Sequence, residues 1–386
     1  MSRAPSAATT TEVPFNQPYT SGAELEYIRE AIAGAHLSGN GPFTRKCAAW
    51  LEAALGSPRV LLTHSCTGAL EMATLLAEIG PGDEVIMPSF TFSSTATAVT
   101  LRGGTPVFVD IREDTLNIDE ERVADAVTDR TRAMMPVHYA GIACAMDELH
   151  EIAAPAGLAI IEDAAHALGS TLAGRPLGAI GTFGALSFHE TKNVISGEGG
   201  ALLINDPAFI DRAEILLEKG TNRRAFFRGE VDKYTWLDLG SSFLASELTC
   251  AFLWAQLERA EWLNAERMQI WQRYHDGFAD LEQEGLVRRP IVPDGVAHNA
   301  HLYFLLAPDE AGRNDLIDAL AREHVRAVFH YLPLHSSPAG RRLGRTAGEL
   351  PVTDRASASL LRLPLWVGMS DEQVDHVVVA AHRALS

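Results

Sequence analysis

Residues 59–88 read RVLLTHSCTGALEMATLLAEIGPGDEVIMP, and they carry the clearest sign of the architecture. Two short apolar runs, RVLLT and EVIMP, enclose a segment whose apolar residues recur at helical spacing and which ends at Gly80-Pro81. Runs that are apolar throughout are typical of strands covered by helices on both faces. The stretch therefore predicts a strand–helix–strand unit of a parallel sheet.

The same alternation continues toward the C-terminus as far as residue 204. Each further apolar run is separated from the next by turn residues or by a helical pattern. We predict a three-layer α/β/α domain with a mostly parallel sheet. Its other strands are PVFVD (106–110), AMMPV (133–137), AIIED (159–163), GALSF (184–188) and GALLI (200–204).

The pattern changes after residue 207. A long helical stretch is predicted from about Phe243 to Leu281, and a shorter αβ region follows from about residue 285. That region contains a strand in HLYFLLAP (301–308), a helix in RNDLIDALAREH (313–324) and a terminal helix opened by the capping box Ser370-x-x-Gln373. We therefore divide the chain into a flexible N-terminus (1–12), a large domain (13–245) and a unit made of the long helix and a small C-terminal αβ domain (246–386).

Composition limits the classes of function. The 386 residues include 32 Lys plus Arg and 50 Asp plus Glu, a net charge of −18, which argues against a nucleic-acid partner. The hydrophobic fraction of 47% and the charged fraction of 21% are those of an ordinary globular protein. No apolar stretch predicts a signal peptide or a membrane span, and the four cysteines form no C-x-x-C pair, so we expect a cytoplasmic protein without a metal site.

Functional residues are expected beyond the carboxyl ends of the strands, because ligands bind there in parallel α/β sheets. Four strand ends qualify: the turn at 64–68 (HSCTG), Phe90, the carboxylate of Asp163, and Lys192. Taken singly, each has a structural explanation as a helix cap, a core aromatic ring or a solvated charge. Together they provide an anion-binding turn, an aromatic face, a carboxylate and a lysine, which are the groups that hold pyridoxal phosphate. Their order is that of fold-type I pyridoxal-phosphate enzymes.

The sequence resembles the DegT/DnrJ/EryC1/StrS family of sugar aminotransferases over about residues 13–385. The resemblance rests on seven segments: LSGNGPFTRKCAAWLE (37–52), TGAL (67–70), PGDEVIMPSFTF (81–92), EDAAHALGS (162–170), GALSFHETKN (184–193), GEGGAL (197–202) and HYLPLH (330–335). It implies the fold-type I architecture and pyridoxal 5′-phosphate as cofactor.

The resemblance also implies a role for each matching residue. Lys192 would bind the cofactor as an imine and move the proton, and Asp163 would pair with the pyridinium nitrogen. His166 would lie near the phenolic oxygen, at a position where many relatives have Gln, and Phe90 would stack on the ring. The phosphate would be held by Thr67, Gly68 and Ser187.

Substrate contacts and the assembly follow from the same resemblance. Many relatives have a Gly-Tyr-Asn-Tyr-Arg segment whose Asn reaches the neighbouring subunit's cofactor phosphate; here residues 240–244 read GSSFL, and Ser242 would supply a hydroxyl instead. A homodimer with shared active sites is therefore expected. The sugar nucleotide would contact Gly39, Gly41, His330, Tyr331 and His335.

The segment EKGTNRRAFFRGEVDKYTW (218–236) is most similar to enzymes that aminate C4 of dTDP-4-keto-6-deoxy-D-glucose. It implies dTDP-4-amino-4,6-dideoxy-D-galactose as product and L-glutamate as donor, and it makes Arg228 and Lys233 candidates for diphosphate contacts. Three alternatives stay open: a C3-aminating member of the family, a related dehydratase, and a sugar-nucleotide-binding regulator without catalysis. Dehydratases have His at the lysine position, so Lys192 disfavours them, and the pair Asp163 and Lys192 disfavours a regulator.

Overall fold

The computed structural model describes residues 12–385, so residues 1–11 of the predicted N-terminal segment lie outside the described part. The strands are β1 Arg59–Thr63, β2 Glu84–Pro88, β3 Thr105–Val109, β4 Thr131–Met134, β5 Ala159–Asp163, β6 Thr171–Leu172, β7 Arg175–Pro176, β8 Phe183–Ser187, β9 Gly200–Ile204, β10 Val296–Ala297, β11 Tyr303–Leu306, β12 Val328–Phe329, β13 Arg345–Thr346 and β14 Leu360–Leu363. The helices are α1 Ala23–Ala33, α2 Pro42–Leu55, α3 Cys66–Leu76, α4 Ser93–Thr100, α5 Glu120–Ala126, α6 Met146–Ala156, α7 Ile210–Leu217, α8 Arg223–Phe227, α9 Glu247–Leu257, α10 Ala260–Gly277, α11 Ala279–Gln283, α12 Glu310–Arg322, α13 Pro338–Leu343, α14 Pro351–Ser359 and α15 Asp371–Leu385.

The large sheet has eight strands in the order β1-β9-β8-β5-β4-β2-β3-β13. The strands from β8 to β13 pair in parallel, whereas β9 is antiparallel to both of its neighbours. Helices cover both faces, and the strands are buried along nearly their whole length. The predicted α/β/α architecture with a mostly parallel sheet is confirmed.

Two strands of this sheet differ from the sequence-based prediction. β4 ends at Met134 instead of continuing to Val137, because Pro136 has no N–H to donate to a neighbouring strand. The two-residue strand β13 was not predicted; it comes from the C-terminal part of the chain and pairs with β3 at the sheet edge. Its shortness leaves no periodicity in the sequence to detect.

The predicted helix from Phe243 to Leu281 is three helices instead of one. α9 begins only at Glu247, where the side chain of Ser246 accepts a hydrogen bond from the N–H of Thr249. Its apolar residues extend all round the helix because it packs between α1, α2 and the large sheet. α9 therefore packs against the large domain, although our division at residue 245 assigns this helix to the C-terminal unit. The position of the boundary remains a prediction.

The C-terminal part has its own antiparallel sheet in the order β11-β14-β12, backed by α12 and α15. α15 begins with the predicted capping box, in which the N–H of Ser370 donates to Gln373 and the N–H of Gln373 donates to Ser370. Val13 forms a bridge to Val325 and joins this core. Within residues 12–385, none of the helices combines the length and apolar character that a bilayer crossing requires.

Candidate active site

A cavity of about 780 Å³ lies beyond the carboxyl ends of β1, β5 and β8. The large sheet contributes Asp163 and Ser187 to its wall, the turn after β1 contributes Ser65, and the small sheet contributes Phe329 and Arg362. Strand β9 begins at Gly200, where an added Cβ would lie 2.4 Å from the backbone nitrogen of Cys66. Only glycine permits this approach, which brings the loop before β9 against the start of α3.

Asp163 ends β5 and is buried at the cavity wall. Its Oδ2 accepts a hydrogen bond of 2.8 Å from Oγ1 of Thr95, and its Oδ1 accepts one of 3.2 Å from the N–H of Ala165. Burial raises the pKa of Asp163, and these two bonds together with the charge of Lys192 offset part of that rise. The carboxylate is therefore oriented and would be stabilised further by a cationic partner in the cavity.

Glu162, next to Asp163, has a structural role. Its carboxylate is fully buried and accepts hydrogen bonds from Nε2 of His138 and from the N–H groups of Gly178, Ile180 and Gly181. These contacts fix the segment that leads into β8. Of the two adjacent carboxylates, only Asp163 borders the cavity.

Lys192 lies in the loop that joins β8 to β9. The loop is closed at its base by a hydrogen bond of 2.9 Å from the N–H of Phe188 to the carbonyl oxygen of Gly199. The Lys192 side chain is partly buried and borders the cavity. Burial lowers the pKa of Lys192 to about 8, although the neighbouring Cys66 and Asp163 oppose this shift. Near neutral pH the uncharged, nucleophilic fraction of this amine is therefore far larger than that of a solvent-exposed lysine, although most of the amine is still protonated.

Two helices begin at one end of the cavity. α3 starts at Cys66, with Ser65 capping the N–H of Gly68, and α4 starts at Ser93. Oγ1 of Thr67 and Oγ of Ser94 are 2.8 Å apart, and both residues border the cavity. The first N–H groups of a helix have no partner within the helix and favour an anion. This end of the cavity has the character of a phosphate site.

His166 and His301 stack with ring centroids 4.1 Å apart. Asn193 donates both of its N–H bonds, to Asn264 and to the carbonyl oxygen of Asn299, so its oxygen accepts from Nδ1 of His301 at 2.9 Å. Burial lowers the pKa of both histidines well below the usual value, so both are neutral. His301 then carries its proton on Nδ1, and the lone pair is on Nε2.

His166 has the opposite arrangement. Its Nδ1 accepts a hydrogen bond of 3.3 Å from the N–H of Ala140, which leaves the proton on Nε2. Nε2 lies 3.4 Å from the phenolic oxygen of Tyr331. His166 therefore presents a hydrogen-bond donor to the cavity.

The structure separates the two phenylalanines of PSFTF. Phe90 is buried in the core against Tyr139 and does not border the cavity, whereas Phe92 precedes α4, is 61% exposed and borders it. This differs from the sequence-based placement of Phe90 at the site. The chain turns after β2, and this turn directs Phe90 toward Tyr139 and Tyr331 instead of the open space.

The predicted substrate residues are only partly brought together. His330 and Tyr331 border the cavity, and Nδ1 of His330 lies 2.8 Å from the hydroxyl of Tyr139. His335 is directed away, with Nδ1 at 2.8 Å from Oγ of Ser89. The substrate role of His335 remains a prediction.

Gly39, Gly41 and Ser242 do not border the cavity. The N–H of Gly41 donates to the buried carboxylate of Glu247, and Gly39 packs against the backbone of Ala245. Ser242 is exposed and its backbone bridges to Glu218. The roles proposed for these three residues from the sequence remain predictions.

Comparison with known proteins places the chain in a family. The sequence profile of the DegT/DnrJ/EryC1/StrS aminotransferase family matches residues 18–382. The chain belongs to this family. It is a pyridoxal-phosphate-dependent sugar aminotransferase.

Individual relatives agree with that membership. The spore coat polysaccharide biosynthesis protein SpsC of Bacillus subtilis (strain 168) is 35% identical over 376 residues, or 95% of this chain and 96% of that protein. The aminotransferase TlmJ of Streptoalloteichus hindustanus superposes with a TM-score of 0.89 at 30% identity, covering 97% and 99% of the two chains. The pyridoxal-phosphate form of the putative sugar aminotransferase Spr1654 of Streptococcus pneumoniae gives 0.88 at 28% identity, covering 97% and 100%.

The residues of this family member fit the cofactor. The buried carboxylate of Asp163, the Lys192 amine with its lowered pKa and two helix N-termini share one cavity. These are the groups needed for the ring nitrogen, the aldehyde carbon and the phosphate.

Sequence reasoning missed several residues of this site. Ser94 and Thr95 follow strand β2 at the start of a helix, the same pattern that marks the turn at 64–68, and this pattern could have revealed them. Arg267, His301 and Arg362 come from the C-terminal part of the chain and border the cavity only through the tertiary fold. No local pattern in the sequence indicates that placement.

Proposed function

We propose that the protein transfers the amino group of L-glutamate to C4 of dTDP-4-keto-6-deoxy-D-glucose, giving dTDP-4-amino-4,6-dideoxy-D-galactose. The observation that carries the proposal is the presence of Lys192 and Asp163 on one cavity of about 780 Å³, within the size range of small-molecule sites. The segment at 218–236, with its similarity to C4-aminating enzymes, supports the choice of sugar.

The cofactor, when bound, supplies an aldehyde carbon for amines and an electron-withdrawing ring. Nζ of Lys192 would hold that carbon and would take and return the proton of the reacting carbon. The carboxylate of Asp163 would keep a proton on the ring nitrogen, since an ion pair would stabilise its buried charge. Nε2 of His166 would donate a hydrogen bond to the phenolic oxygen of the ring.

The remaining contacts position the cofactor. Thr67, Ser187 and the N–H groups that open α3 bind the phosphate, and Gly68 lets α3 begin close to His64, whose ring is 2.9 Å from where a Cβ would lie. We propose Phe92 as the residue that packs on the ring face, because it is the phenylalanine of this segment that borders the cavity. His330 and Tyr331 then contact the sugar from the opposite wall.

We also propose that the active form is a homodimer. Large apolar side chains of the segment 226–239 are exposed, among them Phe227 at 69% and Trp236 at 76%. Exposed clusters of this kind are typical of interfaces. Ser242 follows this segment and does not border the cavity of its own chain, so its hydroxyl would act on the other subunit's site.

The oligomeric state is tested by light scattering, which should give twice the mass of one chain. Trp236→Glu should give monomers. A wild-type monomer that is fully active would contradict the proposal.

The reaction is tested by incubating the protein with cofactor, L-glutamate and the dTDP-linked 4-keto-6-deoxy sugar, with assignment of the aminated carbon by NMR. We expect a new C4–N bond in the galacto configuration, and none with Lys192→Ala. Amination of a 3-keto sugar nucleotide, with no turnover of the 4-keto compound, would replace the proposal by the C3-aminating alternative. A protein that gains no visible absorbance with pyridoxal phosphate would be a binding protein instead.

A further inference from the structure

His301 is a buried histidine of the candidate active site that has no role in the reaction proposed above. It lies between β10 and β11, borders the cavity and is 7% exposed. Its backbone is held at both polar groups: the N–H donates to Oδ1 of Asn299 at 3.1 Å, and the carbonyl oxygen accepts from the guanidinium group of Arg267. The imidazole therefore projects from a fixed stretch of backbone.

The neighbours of His301 determine which of its ring nitrogens carries the proton. Nδ1 donates to Oδ1 of Asn193, and the amide N–H groups of Asn193 donate to Asn264 and to the carbonyl oxygen of Asn299. The amide cannot be reversed, because that carbonyl oxygen would then face another oxygen. Within residues 12–385 Nε2 has no hydrogen-bond partner, and protein atoms do not seal it off, so its lone pair is open to the cavity.

Two other buried histidines border the cavity, and both have the opposite arrangement. His166 carries its proton on Nε2, because its Nδ1 accepts from the N–H of Ala140. The buried hydroxyl of Tyr139 lies 2.8 Å from Nδ1 of His330, which is its one hydrogen-bond partner in residues 12–385. This hydroxyl must donate its hydrogen, so neutral His330 also carries its proton on Nε2. Among the three imidazoles, His301 is the acceptor.

His301 also lies close to the reacting groups. Asn193, which holds its Nδ1, directly follows Lys192 in the chain. The ring stacks on His166 with centroids 4.1 Å apart, and His166 is the residue proposed for the phenolic oxygen of the cofactor. That oxygen and the aldehyde carbon are on adjacent atoms of the cofactor ring. An acceptor at His301 is therefore available to the part of a substrate nearest the reacting carbon.

We propose that Nε2 of His301 accepts a hydrogen bond from the sugar hydroxyl on the carbon next to the reacting carbonyl. This inference rests on the proposed function, in which that hydroxyl is on C3. The hydroxyls are the hydrogen-bond donors of a keto sugar ring, and each has one hydrogen that needs an acceptor once water is excluded. A site built to pair with a hydroxyl rejects analogues that lack it, since its own polar group is then left without a partner. His301 would thus select sugars that have the vicinal hydroxyl.

The sugar half-reaction tests this contact. The protein is loaded with pyridoxamine phosphate, the aminated cofactor, and the keto sugar nucleotide is added while absorbance is followed. At low concentration, wild type should convert dTDP-4-keto-6-deoxy-D-glucose at least ten-fold faster than its 3-deoxy analogue. His301→Phe, which keeps a flat ring against His166, should lose at least ten-fold with the hydroxyl substrate and discriminate less than three-fold. The matched control is His298→Phe, at a histidine that does not border the cavity, and it should behave as wild type.

The donor half-reaction separates this contact from a structural role. Conversion of the pyridoxal-phosphate form by L-glutamate needs no sugar and should change less than three-fold in His301→Phe. An equal loss in both half-reactions would overturn the proposal and assign His301 to the support of Lys192 or His166. A wild-type preference for the hydroxyl substrate that persists in His301→Phe would overturn it as well.

Failure of the proposed function would give a different result. A wild-type enzyme that converts a 3-keto sugar nucleotide and leaves the 4-keto compound unchanged would contradict the proposed regiochemistry. Analogues of that 3-keto sugar without the hydroxyl at C2 or at C4 then test His301 in the same way, and equal rates with all of them would overturn its role.

Nitrogen NMR gives a readout that does not depend on turnover. In protein labelled with nitrogen-15 histidine, the His301 signals are identified by their loss in His301→Gln. Nε2 should be unprotonated in the free protein. Its resonance should shift when the hydroxyl substrate binds to the pyridoxal-phosphate form, which has no amino group to transfer, and should not shift with the 3-deoxy analogue. A proton on Nε2 of His301, or the same shift with both compounds, would overturn the proposal, even where His301→Phe does not fold.

Discussion

Oγ1 of Thr95 donates a hydrogen bond of 2.8 Å to Oδ2 of Asp163 at the end of β5. Thr95 itself is buried in the first turn of α4, and the hydroxyl of Thr91 lies 2.8 Å from its own. The helix that opens toward the phosphate end of the cavity therefore also orients the carboxylate proposed for the ring nitrogen. Neighbouring residues of α4, Ser94 and Thr95, therefore contact Thr67 and Asp163 respectively.

Removing this hydrogen bond should change how Asp163 titrates. Thr95→Val keeps the shape but deletes the donor, so the pKa of Asp163, already raised by burial, should rise further. A carboxyl group whose ionised form is less favoured becomes protonated at a higher pH. The acid limb of the pH–rate profile should therefore move to higher pH, and Thr95→Ser should restore it. An unmoved profile would show that Thr95 does not influence the carboxylate.

Replacing the carboxylate should have a larger effect. Asp163→Asn preserves size and most hydrogen bonds but removes the negative charge that would hold a proton on the ring nitrogen. We expect turnover to fall by orders of magnitude, with the melting temperature nearly unchanged. Steady-state kinetics and thermal unfolding on the same preparation check this. Near-wild-type turnover would assign the ring nitrogen to another residue.

Cofactor loading should depend on pH through Lys192. Its pKa is lowered to about 8 by burial, and the uncharged amine is the nucleophile. The rate of loading the cofactor-free protein should thus rise with pH between about 7 and 9 and then level off. Stopped-flow absorbance measures this rate, with Lys219→Arg as the control for an exposed lysine. A rate that still rises steeply above pH 10 would mean that the amine is not desolvated.

The two phenylalanines after β2 should respond differently to truncation. Phe92→Ala removes an exposed ring from the cavity wall, so cofactor affinity should fall while the free energy of unfolding changes little. Phe90→Ala deletes a fully buried ring and should cost about 3–5 kcal/mol of stability. Cofactor titration and chemical denaturation of both variants separate the roles. A loss of affinity confined to Phe90→Ala would restore the assignment made from the sequence.

Much of the fold could be predicted because its strands are short, apolar and separated by clear turns. β5 and β9 have the predicted bounds, and the capping box at Ser370 forms as expected. The helix break near Glu258 was not predicted, since apolar spacing continues across it and only packing separates α9 from α10. Two-residue strands such as β13 carry no periodic signal at all.

The site could be predicted where one local segment carries the chemistry. Asp163 ends β5 and Lys192 follows the neighbouring strand β8, so their convergence results from the order of strands in the sheet. Arg267 and Arg362 could not be found this way, because they lie far along the chain, on α10 and β14, and border the cavity only through the tertiary fold. Which of Phe90 and Phe92 borders the cavity depends on the direction of the chain after β2, which sequence spacing does not determine.

The most direct test is to identify the residue that holds the cofactor. The protein is loaded with pyridoxal phosphate, reduced with borohydride and digested, and the modified peptide is sequenced by mass spectrometry. We predict a single modified residue, Lys192, and no stable adduct in Lys192→Ala, which should bind the cofactor only non-covalently and lose turnover by orders of magnitude. An adduct on Lys219 or Lys233 instead would contradict the site described for this chain.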